Sequence, residues 1–185
     1  MSNPAVEEIR HRVAIAGSVT DSVSERAIAG AIVELLDPPL QTFTREEGSF
    51  YFIDLPVGSY TLNISAPLFG TRYGVVNGLN ILVQNTVDNQ PILDSKARVR
   101  LTPTTLVGRV TRNDNNQPIE RAIVQLRWST VQTLTDKEGR YTLSGLLAGE
   151  PTVQASAKGF STSIQKVVLT AGAETTANFS LSVPP

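Results

Sequence analysis

Short runs of alternating apolar and polar residues follow one another along this chain, separated by turns rich in glycine, proline and asparagine. The clearest run is 60–66, where apolar side chains occupy every second position. A period of two places alternate side chains on opposite faces of a strand. No segment of useful length repeats with the period of a helix. The pattern therefore predicts an all-β protein whose strands are buried on one face.

The alternation and the turns between the runs locate the individual strands. In the first half, strands are expected at 13–20, 31–35, 42–44, 50–53, 60–66, 75–83 and 92–101. In the second half, they are expected at 106–110, 122–128, 133–135, 141–143, 151–157, 164–169 and 177–183. Short strands at this spacing are typical of a sandwich of two antiparallel sheets.

The two halves are copies of one unit. From Gly17 to Phe69, each residue aligns without a gap with the residue 91 positions later, with 19 identities in 53 positions. The repeat predicts two tandem antiparallel β-sandwiches of about seven strands each, at 12–102 and 103–185, after a flexible lead-in at 1–11. Only a few residues near Thr102 connect them, so we expect a stiff two-domain rod. Gly17 and Gly108 fall at the same place in the first strand of each copy, which predicts a large side chain packing over each.

The second copy carries a family likeness in several short runs, with a closing Phe-Ser-Leu at 179–181. The runs are Gly108–Val110, Gln117–Ile119, Ala122–Val124, Thr135–Tyr141 and Ala157–Phe160. They resemble the carboxypeptidase regulatory-like domain, a transthyretin-like (prealbumin-like) sandwich with Ig-like architecture. The likeness covers 12–101 and 104–183. The first copy departs from it at Ala27, where proline is usual, at Arg45, where aspartate is usual, and in a longer loop at Pro67–Gly74.

The resemblance implies a domain without catalytic residues of its own. Such domains look like rigid spacers, docking surfaces or relatives of sugar-binding modules, in surface and exported proteins and in phage-tail-like contractile injection particles. We therefore expect a non-enzymatic spacer, adaptor or decoration whose partners are other proteins of a larger assembly. The alternative is a carbohydrate-binding module that uses exposed loop aromatics on a polysaccharide.

Composition narrows the chemistry further. Cysteine is absent and His11 is the single histidine, so thiol catalysis, disulfides and a multi-histidine metal site are excluded within one chain, and no cofactor is expected. A formal net charge of -1 gives no electrostatic reason to expect nucleic acid. No run of about 18 apolar residues predicts membrane insertion. The polar residues 1–11 lack a signal-peptide pattern, so the expectation is cytoplasmic assembly or a chain whose export signal has been removed.

Two acidic pairs lie in equivalent turns, Glu46 with Glu47 and Asp136 with Glu138. Carboxylates in pairs can ligate Ca²⁺, but that ion takes about six to eight oxygen ligands. Two carboxylates in each turn fall short of this number. We therefore interpret both pairs as ordinary turn residues, and His11 as a solvated residue of the lead-in.

Five residues form the candidate interaction surface: Phe69, Arg72, Tyr73, Arg98 and Arg100. The first three lie in the long loop, and loops on rigid scaffolds tend to carry binding. Phe69 has a counterpart at Phe160, which favours packing, whereas Tyr73 has none. The two later arginines are expected to point outward from the last strand of the first sandwich. They would either guard an edge against unwanted pairing or pair with acids of a partner.

Trp128 is the only tryptophan. It shares parity with Ala122, Val124 and Leu126 in the predicted strand 122–128, and so we expect it to face the core. The alternative is a sugar-stacking platform formed with Tyr141.

Overall fold

The computed structural model describes residues 11–85 and 90–184, and the predicted lead-in lies outside them except for His11. Apart from two short 3₁₀ segments at Pro67–Arg72 and Ser95–Ala97, its regular elements are strands. They are β1 (Val13–Asp21), β2 (Ile32–Leu35), β3 (Leu40–Phe43), β4 (Ser49–Ile53), β5 (Gly58–Ser65), β6 (Val76–Asn85), β7 (Pro91–Ile92), β8 (Arg98–Leu101), β9 (Thr105–Arg112), β10 (Ile123–Leu126), β11 (Gln132–Leu134), β12 (Arg140–Ser144), β13 (Thr152–Ser156), β14 (Ser163–Lys166), β15 (Glu174–Thr176) and β16 (Phe179–Leu181).

The described residues divide into two compact units. The first comprises 11–21, Glu25–Ser65 and Val76–Arg100. The second begins at Leu101 and also includes Ser22–Ser24 and Ala66–Val75. The long loop of the first half is thus counted with the second unit.

In the first unit, a sheet of order β4-β1-β8 is accompanied by a five-stranded sheet of order β3-β2-β5-β6-β7. Alternation along the strands fills the space between them, because every second residue is apolar and turned inward. Val33, Leu62 and Ile81 from the larger sheet are buried, as are Ile15 and Phe50 from the smaller one. The core is therefore built from the inner faces of both sheets.

The second unit repeats this plan with sheets of order β12-β9-β15 and β11-β10-β13-β14. Leu106, Val124, Val153, Tyr141 and Phe179 belong to its buried cluster. β16 also pairs with β9, and both β15 and β16 run parallel to β9, while the other pairings of this unit are antiparallel. The all-β class and the two sandwiches are confirmed, with parallel pairing at one edge of the smaller sheet.

A buried threonine ties the loop before the second strand of each sandwich to the corner. The Thr135 hydroxyl accepts from the Ala122 backbone N–H at 2.8 Å and donates to the Ile119 carbonyl at 2.6 Å. Thr44 makes the same two bonds 91 positions earlier, at 2.8 and 2.6 Å. Both side chains are buried, so each bond satisfies backbone groups that water cannot reach. The second threonine of each Thr-x-Thr pair is therefore part of the scaffold.

The first strand of each sandwich carries a glycine because an aromatic ring lies over it. Gly108 pairs directly with Tyr141, and a Cβ at this glycine would lie 1.8 Å from the Ala177 carbonyl oxygen and 2.8 Å from the tyrosine ring. Gly17 pairs with Phe50, where a Cβ would lie 2.6 Å from the ring. The prediction that a large side chain packs over each glycine is confirmed.

Several predicted strand boundaries are wrong: the predicted strand 164–169 ends at Lys166, the predicted strand 177–183 is limited to Phe179–Leu181, and three further cases have a local reason. The predicted strand 42–44 begins earlier, at Leu40, because the hairpin turn is shorter than the proline residues suggested. The predicted strand 92–101 is interrupted by the 3₁₀ segment Ser95–Ala97, which is capped by the Asp94 side chain accepting from the Lys96 N–H at 2.9 Å. The predicted strand 122–128 ends at Leu126.

We expect Thr135→Val to lower the free energy of unfolding by about 1–3 kcal/mol, because the valine leaves a buried N–H and a buried carbonyl without their partner. Urea unfolding followed by circular dichroism checks this. Thr142→Val is the matched control, since Thr142 is exposed on β12 and its replacement should stay within about 0.5 kcal/mol. Equal effects of the two variants would contradict the structural role of the buried hydroxyl.

The buried phenol of Tyr141 is expected to make the stability of the fold depend on pH in the alkaline range. Burial raises the pKa of this phenol, which donates to the Ala177 carbonyl at 2.6 Å. Above the ordinary tyrosine pKa of about 10, the unfolded chain loses the proton while the folded chain keeps it. The stability held by this proton is thus complete below about pH 10 and is lost as pH rises above it.

We therefore expect the urea midpoint of the wild type to fall more steeply above about pH 10 than that of Tyr141→Phe. At neutral pH, the phenylalanine variant should be less stable by about 1 kcal/mol, because it lacks the hydrogen bond. Tyr51→Phe, at an exposed position, is the control and should keep the steep alkaline fall. A Tyr141→Phe profile as steep as that of the wild type would rule out this phenol as the titrating group.

Candidate functional site

The long loop is an ordered segment of the second unit. Pro67–Arg72 forms 3₁₀ turns, interrupted by non-helical backbone angles at Gly70 and Thr71. The Thr71 hydroxyl accepts from the Ala148 N–H at 2.9 Å, and the Thr71 carbonyl accepts from the Thr104 hydroxyl at 2.8 Å. These bonds join the segment to the loop at Ala148 and to Thr104.

Three of the five candidate residues come together here. The rings of Phe69 and Tyr73 meet edge to face, with centroids 5.6 Å apart. Phe69 keeps 36% of its surface exposed, while Tyr73 is half-buried. The Arg72 guanidinium donates to the Gly145 carbonyl, so one of its donors serves the scaffold. The segment therefore presents one aromatic edge and the rest of an arginine to solvent.

The other two candidates lie on β8, at the edge of the small sheet of the first unit. Val99 and Leu101 are buried, while Arg98 and Arg100 are exposed, as their alternation predicted. Arg100 approaches Glu25 at 3.4 Å, and both side chains are largely exposed. A pair of this kind in water contributes little to stability. The two guanidinium groups are accessible at a sheet edge.

The acidic corners make the contacts of turns. The Asp136 carboxylate accepts from the Glu138 N–H at 3.0 Å and the Arg140 N–H at 2.8 Å. Arg45 replaces this aspartate in the first copy, and its guanidinium donates to the Tyr51 hydroxyl at 2.8 Å and lies 4.9 Å from the ring centroid. Both corners thus use their side chains to hold the local backbone or a neighbouring ring.

His11 is exposed, but it is paired. Its Nδ1 lies 2.5 Å from the Asp54 carboxylate, which also accepts from the Arg12 N–H at 2.8 Å. The backbone bond first, and the histidine second, lower the pKa of the Asp54 carboxyl. His11 is exposed, as expected of a solvated residue, and it also pairs with Asp54, while backbone bonds of Arg12 join the start of β1 to the turn after β4.

Trp128 is the residue that the sequence pattern misplaced. β10 ends at Leu126, and Trp128 lies in the following turn with a φ of 58° and 85% of its surface exposed. Tyr141, its suggested partner in a sugar platform, is buried in the core. The repeat could have predicted that Trp128 lies in a turn, because the position 91 residues earlier is Asp37 in an Asp-Pro-Pro turn.

No metal-binding cluster accompanies these surfaces in the part of the chain that the structure describes. Within residues 11–85 and 90–184, His, Asp and Glu side chains do not gather in groups of three that could hold a metal ion. Among the same residues, no helix has the length and apolar character that a membrane crossing requires.

Several solved structures are similar to this chain. The Bacillus anthracis TIE protein is 15% identical with a TM-score of 0.47, and the match covers 93% of this chain and 34% of that one. A mutant of the shaft pilin SpaA from Lactobacillus rhamnosus GG is 9% identical with a TM-score of 0.43, covering 95% and 98%. A minor pilin of Streptococcus agalactiae is 13% identical with a TM-score of 0.36, covering 92% and 96%. This chain therefore spans about a third of the length of the first of these proteins.

The comparison with curated proteins returned no match. The comparison with protein families matched the carboxypeptidase regulatory-like domain twice, over residues 14–90 and 105–182. The two matches cover most of the chain and fall on its two copies, so the resemblance seen in the sequence is confirmed. This chain belongs to the carboxypeptidase regulatory-like domain family, of which it contains two tandem copies.

Proposed function

We propose that this chain is a non-enzymatic structural and protein-interaction module, acting as a spacer, adaptor or decoration in a larger assembly. A phage-tail-like contractile injection particle or a cell-surface structure would be such an assembly. Its partners are other proteins, which it meets through exposed edges and loops of the two sandwiches.

The proposal rests on one observation, that the buried polar side chains hydrogen-bond to the backbone of the fold. Thr44, Thr135 and Tyr141 all bond to backbone groups of the fold. Among the described residues, no buried side-chain nitrogen or oxygen lacks a partner. Acid–base or nucleophilic catalysis needs a positioned set of such groups facing a substrate. Here they are occupied in holding strands and corners together.

The accessible chemistry instead suits protein contacts. Arg98 and Arg100 project from the β8 edge, where guanidinium groups can form paired hydrogen bonds with carboxylates of a partner. Phe69 and Tyr73 offer an aromatic edge in the long loop, beside Arg72. Aromatic residues and arginine are enriched among the side chains that dominate binding energies. We assign the partner contacts to two separate surfaces, Arg98 and Arg100 on the first unit, and the segment with Phe69, Arg72 and Tyr73 on the second.

The test is charge reversal at the β8 edge. The tagged chain, with Arg98→Glu and Arg100→Glu, is produced in its native organism and its assembly is isolated. Quantitative mass spectrometry then measures the partner stoichiometry. We expect the wild type to retain a defined set of proteins, and the double variant to retain at least about tenfold less.

Arg121→Glu with Lys137→Glu is the matched control, because it makes the same change of charge at exposed positions of the second unit. The control should keep wild-type stoichiometry. Full retention by the β8 double variant would remove this edge from the partner surface. Turnover of a hydrolase substrate panel by the pure chain would overturn the non-enzymatic function itself.

Carbohydrate binding is the second candidate function, favoured by the exposure of the Phe69 and Trp128 rings. Exposed aromatic faces can stack on sugar rings. Affinity electrophoresis on a panel of neutral and acidic polysaccharides tests it. If the function is correct, one polysaccharide retards the chain and Phe69→Ala or Trp128→Ala abolishes the retardation. Unretarded migration in every gel would end this candidate.

A further inference from the structure

Trp128 is held out in solvent by the hairpin that carries it. The hairpin between β10 and β11 closes with the Leu126 N–H donating to the Val131 carbonyl at 3.0 Å. Inside it, the Gln125 side chain donates to the Ser129 carbonyl at 2.8 Å, and the Ser129 hydroxyl accepts from the Val131 N–H at 3.0 Å. These bonds hold the backbone of the turn that carries the exposed indole.

This arrangement is costly for the isolated chain. A left-handed backbone at a residue with a side chain costs about 1–2 kcal/mol, and Trp128 adopts it with a φ of 58°. A large apolar ring is also left 85% exposed to water, with the Arg127 guanidinium 4.6 Å from its centroid. The aligned turn of the first unit, Asp37–Pro39, has no aromatic residue. A surface contact that buries the ring would offset both costs.

An apolar groove of about 280 Å³ begins at the same hairpin of the second unit. Its apolar wall consists of Leu126, Val131, Leu146, Leu147, Ala148 and Pro151. Leu147 is 52% exposed, so this wall is open to solvent. Arg72 and Glu150 contribute one charge of each sign to the lining. The hairpin that projects the indole therefore also borders a groove lined by apolar side chains.

We propose that two copies of this chain associate through these features, with Trp128 of each copy inserted in the groove of the other. A protruding group and a recess on one surface can satisfy each other reciprocally around a two-fold axis, which is the usual symmetry of protein dimers. The partner is thus a second copy of this chain. This self-association goes beyond the proposed function and does not depend on it, although Arg72 belongs to both surfaces.

The charges around the two features are complementary. Arg127 flanks the indole and Glu150 lines the groove, so insertion brings these opposite charges toward each other, while Arg72 is the one like charge in the lining. Glu150 is bound to Lys166 at the surface and remains exposed. Arg72 in the groove lining offers the entering indole the same cation–π contact that Arg127 provides in the single chain. Glu150 thus favours the arginine, and Arg72 the ring, of an Arg-Trp pair as the occupant of the groove.

The contact is small. We expect a hairpin and a groove from each side to bury less than the roughly 1,600 Å² of a standard protein–protein interface. We therefore expect association that depends on concentration and is favoured where many copies are held close together. Trp128 should dominate the interface, as central tryptophans do.

The sole tryptophan makes the experiment specific, because all indole fluorescence reports on Trp128. Sedimentation velocity and fluorescence are recorded on the pure chain over a dilution series. We expect the mass to approach that of a dimer as concentration rises, with a blue shift of the emission over the same range. Trp128→Ala should weaken the association by roughly thirtyfold or more. Leu147→Glu should do the same by placing a charge in the groove.

A complementation experiment tests whether the two variants lose association because the insertion is lost and not because they misfold. Trp128→Ala is dark in indole fluorescence but keeps the groove, whereas Leu147→Glu keeps the indole but lacks the groove. Adding the dark variant to Leu147→Glu should restore one insertion and shift the emission to the blue. Adding the double variant, Trp128→Ala with Leu147→Glu, to Leu147→Glu should not shift the emission, because neither chain then offers an intact groove. Val168→Glu, at an exposed apolar position of the same unit, is the control for charge and should dimerise normally.

Three results would overturn the proposal. The first is a monomeric mass with unchanged emission at the highest concentration reached. The second is a dimer that persists in Trp128→Ala, which would place self-association on another face. The third is an emission shift that appears only when a polysaccharide or another protein is added, which would assign Trp128 to that ligand.

Discussion

The double hydrogen bond of one buried threonine is the contact on which each sandwich depends. Thr44 and Thr135 each accept from a backbone N–H at the start of the second strand and donate to a carbonyl three residues before it. A hydroxyl is small and both donor and acceptor, so it satisfies two buried backbone groups where no strand pairing can reach. It also joins the corner to the strand beside it. The corner then sets the direction of the aromatic strand that follows.

Beyond this corner, close contacts at two glycines determine how the strands of the small sheet pack together. Gly48 and Gly139 take positive φ values of 74° and 72° at the corner, where a Cβ would lie 2.5 Å from a carbonyl oxygen of the first strand. The ring that follows lies over a second glycine in that strand. Each contact leaves room for only one residue type, and each occurs in both copies. The identities between the copies therefore concentrate on the scaffold.

The sequence predicted most of this fold because alternation and turn chemistry are local signals. It failed where a turn, and not a strand, decided the direction of a side chain. Counted along the chain, Trp128 falls on the inward-facing positions of β10. The strand ends at Leu126, however, and Trp128 lies in the turn, where the alternation of strand faces no longer holds. In the candidate site, the outward arginines of β8 followed from alternation. The hydrogen bonds of Thr71 and Arg72 did not, because they join residues more than 70 positions apart.

The differences between the copies are the better guide to binding, since shared contacts are already explained by folding. At aligned positions, the corner residue is Arg45 in one copy and Asp136 in the other, and the hairpin residue is Asp37 or Trp128. Both changes are at the surface and neither alters the threonine bonds. A duplicated scaffold that keeps its core can thus present unlike surfaces on its two copies. Because the core contacts are the same in both copies, a surface position that differs can change its chemistry without altering the fold.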